Sequence, residues 1–228
     1  MSTISDRLKQ VQSRISQAAI AAGREPASIK LIAVSKTQPV SMLEAALAAG
    51  QTTFGESYLQ DALPKIEAIG GRAEWHFIGP IQSNKTRQIA AHFDWVHSVD
   101  RLKIAQRLNE QRPKDLPPLN ICLQINTSGE ASKAGISPTD ARGLAEAICA
   151  LPHLKLRGLM TIPAREQDPE RQRQPFHQLR ILFEQLNNDG FQLDTLSMGM
   201  STDMEAAIAE GATLVRVGTA IFGPRLTK

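Results

Sequence analysis

Thr213-Leu214-Val215-Arg216-Val217-Gly218-Thr219-Ala220-Ile221-Phe222-Gly223-Pro224 is an apolar strand that runs into a small-residue turn with a helix start behind it. A second unit of the same kind lies just upstream: Thr195-Leu196, then Ser197-Met198-Gly199-Met200-Ser201-Thr202-Asp203-Met204-Glu205. Both turns offer unhindered backbone N–H groups close to a helix start, and glycine lets an anion approach. Such an arrangement suits a phosphate.

Working outward from these units, the same alternation fills the chain. Strands are expected at Lys30–Ser35, Thr52–Phe54, Glu74–Phe77, Trp95–His97, Leu119–Ile125, Lys155–Leu159, Thr195–Leu196 and Thr213–Val217. Helices are expected near 40–49, 56–68, 84–91, 100–111, 138–150, 171–189 and 202–210, with Asp100 and Ser137-Pro138 as cap-like starts. Ahead of them, Ile4, Leu8, Val11, Ile15 and Ala19 recur at helical spacing over residues 3–22, and Gly23 ends that helix. Strand–helix alternation means a parallel sheet with right-handed crossovers. About eight repeats predict an α/β fold, a (β/α)8 TIM-type barrel with an extra N-terminal helix, as a single domain over residues 1–228. An open doubly wound sheet is the alternative, weakened because no Gly-x-Gly-x-x-Gly follows the first strand. Pro113–Pro118 and Ala164–Gln174 read as loops within the domain.

Composition narrows the function. With 228 residues, 42% hydrophobic and 21% charged, the chain is an ordinary globular protein with room for a full core. A net charge of +3 is too small to argue for nucleic acid. The basic groups Arg101, Lys103, Arg107 and Arg165, Arg171, Arg173 carry no interleaved aromatics for base stacking and read as solvated surface. Cys122 and Cys149 have no metal-like spacing and read as reduced core thiols. No apolar run approaches the ~20 residues of a membrane span, and the start of the chain reads as a helix rather than a signal peptide. A cytoplasmic monomer is expected.

In a closed barrel the last strand neighbours the first. Leu31-Ile32-Ala33-Val34-Ser35-Lys36 delivers a lysine at the carboxyl end of strand 1, so closure sets Lys36 beside the phosphate turns. A partly desolvated lysine there has a lowered pKa and can form a Schiff base; the plain alternative is a lysine that snorkels to solvent. Strand alternation sends Leu214, Arg216 and Gly218 to one face and Val215 and Val217 to the other. With the valines against helices, Arg216 points into the barrel and needs an acceptor, either a pyridine nitrogen or an internal ion pair. Lysine, phosphate turns and arginine together point to pyridoxal 5′-phosphate (PLP).

Ala33-Val34-Ser35-Lys36, Phe54-Gly55-Glu56-Ser57-Tyr58, His76-Phe77-Ile78-Gly79-Pro80-Ile81-Gln82-Ser83-Asn84-Lys85, Ser197–Asp203 and Val215–Gly223 follow one another in the order of a known family. Over nearly its whole length the chain resembles the pyridoxal-phosphate homeostasis proteins (PROSC or YggS type), relatives of the alanine racemase N-terminal barrel. The resemblance implies a PLP aldimine on Lys36, phosphate contacts from Ser201, Thr202, Gly218 and Thr219, and Arg216 facing the pyridine nitrogen. Ser57 and Met200 complete the expected cofactor-binding set. The family often has Asn where Ser57 stands. It also places a lysine near the site mouth that Lys133 matches, in Gly129-Glu130-Ala131-Ser132-Lys133-Ala134-Gly135. Gln82, Asn84 and Lys85 after strand 3, and Asn126 and Met160 at the ends of strands 5 and 6, are weaker candidates. The histidines show no metal spacing, and Asp203 and Glu205 are expected to stabilise a helix N-terminus.

A PLP racemase needs a base on each face of the substrate carbon, and the two-domain racemases take the second, a tyrosine, from a separate domain. The one tyrosine here, Tyr58, sits beside a core-like leucine and reads as structural, and no second domain is expected. An arginine cannot give up its proton, so the ring facing Arg216 is a weaker electron sink. The expected function is therefore PLP storage, buffering or delivery in cofactor homeostasis, with apo-forms of PLP enzymes as recipients and no efficient catalysis. The alternatives are a PLP-dependent amino-acid racemase working as a dimer, and a Schiff-base aldolase or phosphosugar isomerase.

Overall fold

The computed structural model describes residues 2–128, 134–164, 166 and 168–223. Eight parallel strands close into a barrel in sequence order: β1 (Lys30–Val34), β2 (Thr53–Glu56), β3 (Glu74–Phe77), β4 (Trp95–Val99), β5 (Leu119–Gln124), β6 (Leu154–Met160), β7 (Thr195–Ser197) and β8 (Leu214–Val217). The open-sheet alternative is excluded by the pairing of β1 with β8, which sets Lys30, Leu31, Ile32 and Ala33 against Leu214, Val215, Arg216 and Val217.

Helix α1 (Ile4–Ala21) precedes the barrel, and its buried residues are Ile4, Leu8, Val11, Ile15 and Ala19. Burying an Ile, Leu or Val side chain stabilises by roughly 1.5–3 kcal/mol, which fixes α1 against the barrel. Thr3 and Asp6 form a reciprocal capping box at its start, and Gly23, at φ +67°, follows its end. The crossover helices are α2 (Val40–Ala48), α3 (Leu59–Ile69), α4 (Thr86–His92), α5 (Leu102–Gln111), α6 (Ala141–Cys149), α7 (Pro169–Asn188), α8 (Met204–Ala209) and α9 (Thr219–Phe222).

Two apolar regions result. The larger lies between strands and helices and takes Val215 and Val217. The smaller, Ile32, Trp95, Cys122, Met160 and Leu214, fills the barrel interior. Met160 is thus a fully buried core residue.

Several local expectations are corrected. Glu56 ends β2 rather than opening a helix, because its carboxylate is buried against Lys65. Tyr58 precedes α3 and is 57% exposed, so it does not pack with the buried Leu59. Asp100 makes no cap; it pairs with Arg101, which stands at the cap position of α5. Ser137 caps a 3-10 turn, Pro138–Asp140, that leads into α6. Cys149 is exposed at the end of α6, whereas Cys122 is buried, and burial pushes its thiol up to about 12. Arg101 and Arg107 tie down the chain after β3 through the carbonyls of Ile81 and Ser83, and Arg173 pairs with Glu210. Arg165 lies outside the described residues.

Candidate functional site

Closure brings β1 and β8 side by side at their carboxyl ends. Gly218 lies against Val34: a Cβ at Gly218 would stand 3.2 Å from the Val34 carbonyl oxygen, so the absence of a side chain lets the two strand ends meet. Lys36 follows two residues after Val34 and is half-buried.

The chain on either side of Lys36 is pinned. Ser35 is buried; its hydroxyl donates to Glu56 Oε1 at 2.6 Å, and its carbonyl accepts from Lys65 Nζ at 2.8 Å. Lys65 Nζ also reaches Glu56 Oε1 at 2.8 Å and Asp61 Oδ2 at 3.5 Å. The Thr37 N–H donates to the same Asp61 oxygen at 2.8 Å. Thr37 adopts φ +64°, a conformation that costs a non-glycine residue roughly 1–2 kcal/mol and persists only where the surroundings hold it. Burial pushes the Glu56 carboxyl up, opposed by the Lys65 ammonium and the Ser35 hydroxyl. None of Glu56, Asp61 and Lys65 was picked out from sequence. Their signal, a carboxylate at a strand end followed by a helix with Asp and Lys four apart, is common on solvated helices.

The two small-residue units are joined by backbone bonds from the Met198 N–H to the Leu214 carbonyl at 3.1 Å and from the Arg216 N–H to the Gly199 carbonyl at 2.9 Å. Gly199 has φ +92°, and a Cβ there would lie 2.6 Å from that of Ala207, so the turn requires glycine. Ser201 and Met200 are half-buried, Thr202 and Thr219 are exposed, and Gly218 is half-buried. Asp203 does not cap α8. Its buried carboxylate turns back to accept from the Met200 N–H, and burial pushes it up. Glu205 instead pairs with Arg14 of α1 at 2.8 Å, and Arg14 donates a second bond to the Ser201 carbonyl at 3.1 Å. The N-terminal helix therefore braces the first turn. Arg14 flanks the stripe of recurring apolar residues and is half-buried, and apolar periodicity gave it no role.

Arg216 points into the barrel as alternation predicts and is 3% exposed. Nη1 donates to Ser197 Oγ at 2.7 Å and Nη2 to the Thr161 carbonyl at 2.9 Å. Among the described residues no carboxylate lies within ion-pair distance of it, so the internal ion pair does not form. Burial pulls its guanidinium down to about 10, which leaves it charged at neutral pH.

Ser57 lies at the end of β2, half-buried, in a cleft of about 200 Å³ with Tyr58, Phe77, Pro80, Gln82 and Lys85. Ser83-Asn84-Lys85 form a 3-10 turn. Asn126 follows β5 and accepts from Ser128 through its side-chain oxygen. Lys133 lies outside the described residues.

A family model described as alanine racemase, N-terminal domain, matches residues 7–225. The pyridoxal phosphate homeostasis protein of Pseudomonas aeruginosa is 60% identical over 226 residues, covering 99% of this chain and 97% of that one. The chain belongs to this family. The protein of the same name from Escherichia coli K12 is 53% identical over 229 residues, covering 99% and 98% of the two chains. The solved structure of PipY from Synechococcus elongatus, with PLP bound, matches with a TM-score of 0.84 at 36% identity and covers 97% of this chain and all of that one. No helix among the described residues is long and apolar enough to cross a membrane.

Proposed function

We propose that this protein binds pyridoxal 5′-phosphate and holds it covalently through Lys36, acting in cofactor homeostasis. The observation that carries the reading is the β1–β8 pairing, which brings Lys36, the Gly218 turn and Arg216 to one end of the barrel. The donor set fits the group. It combines a lysine amine, rim hydroxyls on Ser201, Thr202 and Thr219, and a buried guanidinium with no ion-pair partner among the described residues. The nearby carboxylate, Asp203, is turned back onto the Met200 N–H and interacts with the Arg216 charge. When bound, PLP supplies a reactive aldehyde, a phosphate and an electron-withdrawing ring.

Each residue has a part. Lys36 supplies the amine. Ser201, Thr202, Gly218 and Thr219 hold the phosphate with hydroxyl and backbone donors, in turns that glycine keeps open. Arg216 donates toward the ring nitrogen; because it keeps its proton, that nitrogen stays an acceptor and the ring a weak electron sink. Ser57 and Met200 border the cofactor. That weak sink, and relatives named for homeostasis rather than for an enzyme, support a carrier without efficient catalysis. The carrier acts as a monomeric single domain in the cytoplasm, passing PLP to apo-forms of enzymes that need it.

The test is a PLP titration followed by absorbance of the parent and of a Ser201→Val, Thr202→Val variant. Saturable one-to-one binding by the parent, weakened at least tenfold in the variant with an unchanged melting temperature, supports the reading. Absence of saturable binding by the parent refutes it. Deuterium wash-in at the α-carbon of alanine at enzyme-like rates favours the racemase instead.

A further inference from the structure

Arg216 ends a line of buried polar side chains that runs the length of the barrel interior. Ser197 Oγ lies 2.7 Å from Arg216 Nη1 and 2.7 Å from His97 Nδ1. His97 Nε2 lies 2.8 Å from His76 Nδ1, and His76 Nε2 lies 2.5 Å from Glu74 Oε1. Ser197, His97 and His76 are at most marginally accessible, while Glu74 opens onto a polar cleft of about 490 Å³ at the amino-terminal mouth, opposite Lys36. Glu74 is also held by Lys30 at 2.8 Å.

Proton bookkeeping gives the line one direction. Arginine has only donors, so Ser197 Oγ accepts from Nη1. At the other end the ionised Glu74 carboxylate only accepts, so a neutral His76 must accept at Nδ1 from His97, which leaves His97 Nδ1 to accept the serine hydrogen. A neutral His97 therefore carries its hydrogen on Nε2 and donates to His76 Nδ1. His76 in turn carries its hydrogen on Nε2 and donates to the Glu74 carboxylate. Burial disfavours charge on both rings and pushes both below the ordinary histidine range. His76 is also held in place by stacking on Trp95, centroids 5.4 Å apart and planes 7° from parallel. Every link donates away from the cation and toward the anion, so the dipoles align and reinforce one another.

We propose that Ser197, His97 and His76 are positioning residues that aim the Arg216 guanidinium and tie it to a remote counter-charge, Glu74, through a one-way hydrogen-bond chain. This arrangement accounts for a buried cation without an ion-pair carboxylate. It leaves Arg216 a full donor at the cofactor end, and it makes the ring-nitrogen environment sensitive to a carboxylate at the opposite mouth. The last consequence rests on the PLP reading above; the chain itself does not.

The experiment is nitrogen-15 NMR of the full-length protein with labelled histidine, read first without PLP and then through a PLP titration. Signals are assigned with His76→Gln and His97→Gln variants. Both rings are expected as neutral Nε2–H tautomers at pH 8. An Nδ1–H tautomer or an imidazolium at either position overturns the chain, whether or not PLP binds. Glu74→Gln removes the terminal charge far from the cofactor. It is expected to mix the His76 tautomers, shift the absorbance band of bound PLP and raise its dissociation constant several-fold. Ser197→Ala is expected to raise it about tenfold, the scale of one hydrogen bond to a charged group, and Ser197→Thr to restore it. Unchanged His76 tautomers and an unmoved PLP band in Glu74→Gln overturn the coupling. Failure of the parent to bind PLP while the tautomers are as expected overturns the functional reading and leaves the chain standing.

Discussion

Replacing Lys65 by Met probes the support beneath Lys36. Glu56 is fully buried and Lys65 is 4% exposed, and they meet at 2.8 Å with Ser35 bonded to both. Removing the ammonium leaves Glu56 buried with no cation and with the Asp61 carboxylate nearby, a loss of about 3–5 kcal/mol when one partner of a buried pair is deleted. The pH dependence fixes the cause. Burial already pushes Glu56 up, and without Lys65 it rises further. The folded variant then holds a proton that the unfolded chain releases above about pH 4.3. Its deficit relative to the parent is therefore largest at pH 8 and shrinks as pH falls toward 5.5. Urea unfolding at a series of pH values measures this, with the slope of the transition as a check on changed compactness. A Glu56→Gln, Lys65→Met double variant, which leaves no orphaned charge, is expected to lie closer to the parent than Lys65→Met alone. A deficit under about 1 kcal/mol at pH 8, or one that does not vary with pH, refutes the buried ion pair and its role in holding Ser35 and Thr37.

Other expectations follow from single contacts. Gly199→Ala places a methyl 2.6 Å from Ala207 Cβ at φ +92° and is expected to destabilise by about 1–3 kcal/mol and weaken PLP retention, measured by thermal unfolding and dialysis. Glu74 is held down to about 2, first by His76 and with help from Lys30. The stability it contributes is present above the ordinary carboxylate range and lost as pH falls from about 4.5 toward 2. Its side chain is 34% exposed, so solvent screening reduces the effect to about 1–2 kcal/mol, read as the acid-limb difference between the parent and Glu74→Gln. Cys149 is expected to react with a thiol reagent in the folded protein while Cys122, buried and pushed up to about 12, reacts only on unfolding. Arg14→Ala is expected to loosen the first turn and raise the PLP dissociation constant several-fold, with thermal stability changed by under about 1 kcal/mol because the ion pair is exposed.

The barrel was legible because its signals are local and repeated. Apolar strands alternate with helices from end to end of the barrel, and α1 shows its buried face residue by residue. Alternation along β8 also placed Arg216 inside, since Val215 and Val217 demand the helix side. Sequence could not say what Arg216 would meet. Its acceptors, Ser197 and Thr161, come from β7 and from the end of β6, and no local pattern marks either. The same holds for the contact of His76 with His97: register sets His76 beside Trp95, and His97 lies two residues further along β4 on the same face. Helix starts were missed where a polar residue does something other than cap. Asp203 folds back on Met200, Asp100 pairs with Arg101, and Glu56 is kept in its strand by Lys65. In each case another partner, a near neighbour for Asp203 and Asp100 and a lysine nine residues on for Glu56, takes the carboxylate from the helix end.

The most direct measurement is peptide mass mapping after incubation with PLP and reduction with borohydride, which fixes a pyridoxyl group on whichever lysine carries the cofactor. A single modification at Lys36, lost in Lys36→Ala, is the predicted result. A principal modification at another lysine such as Lys85 or Lys133, with Lys36 untouched, contradicts the account.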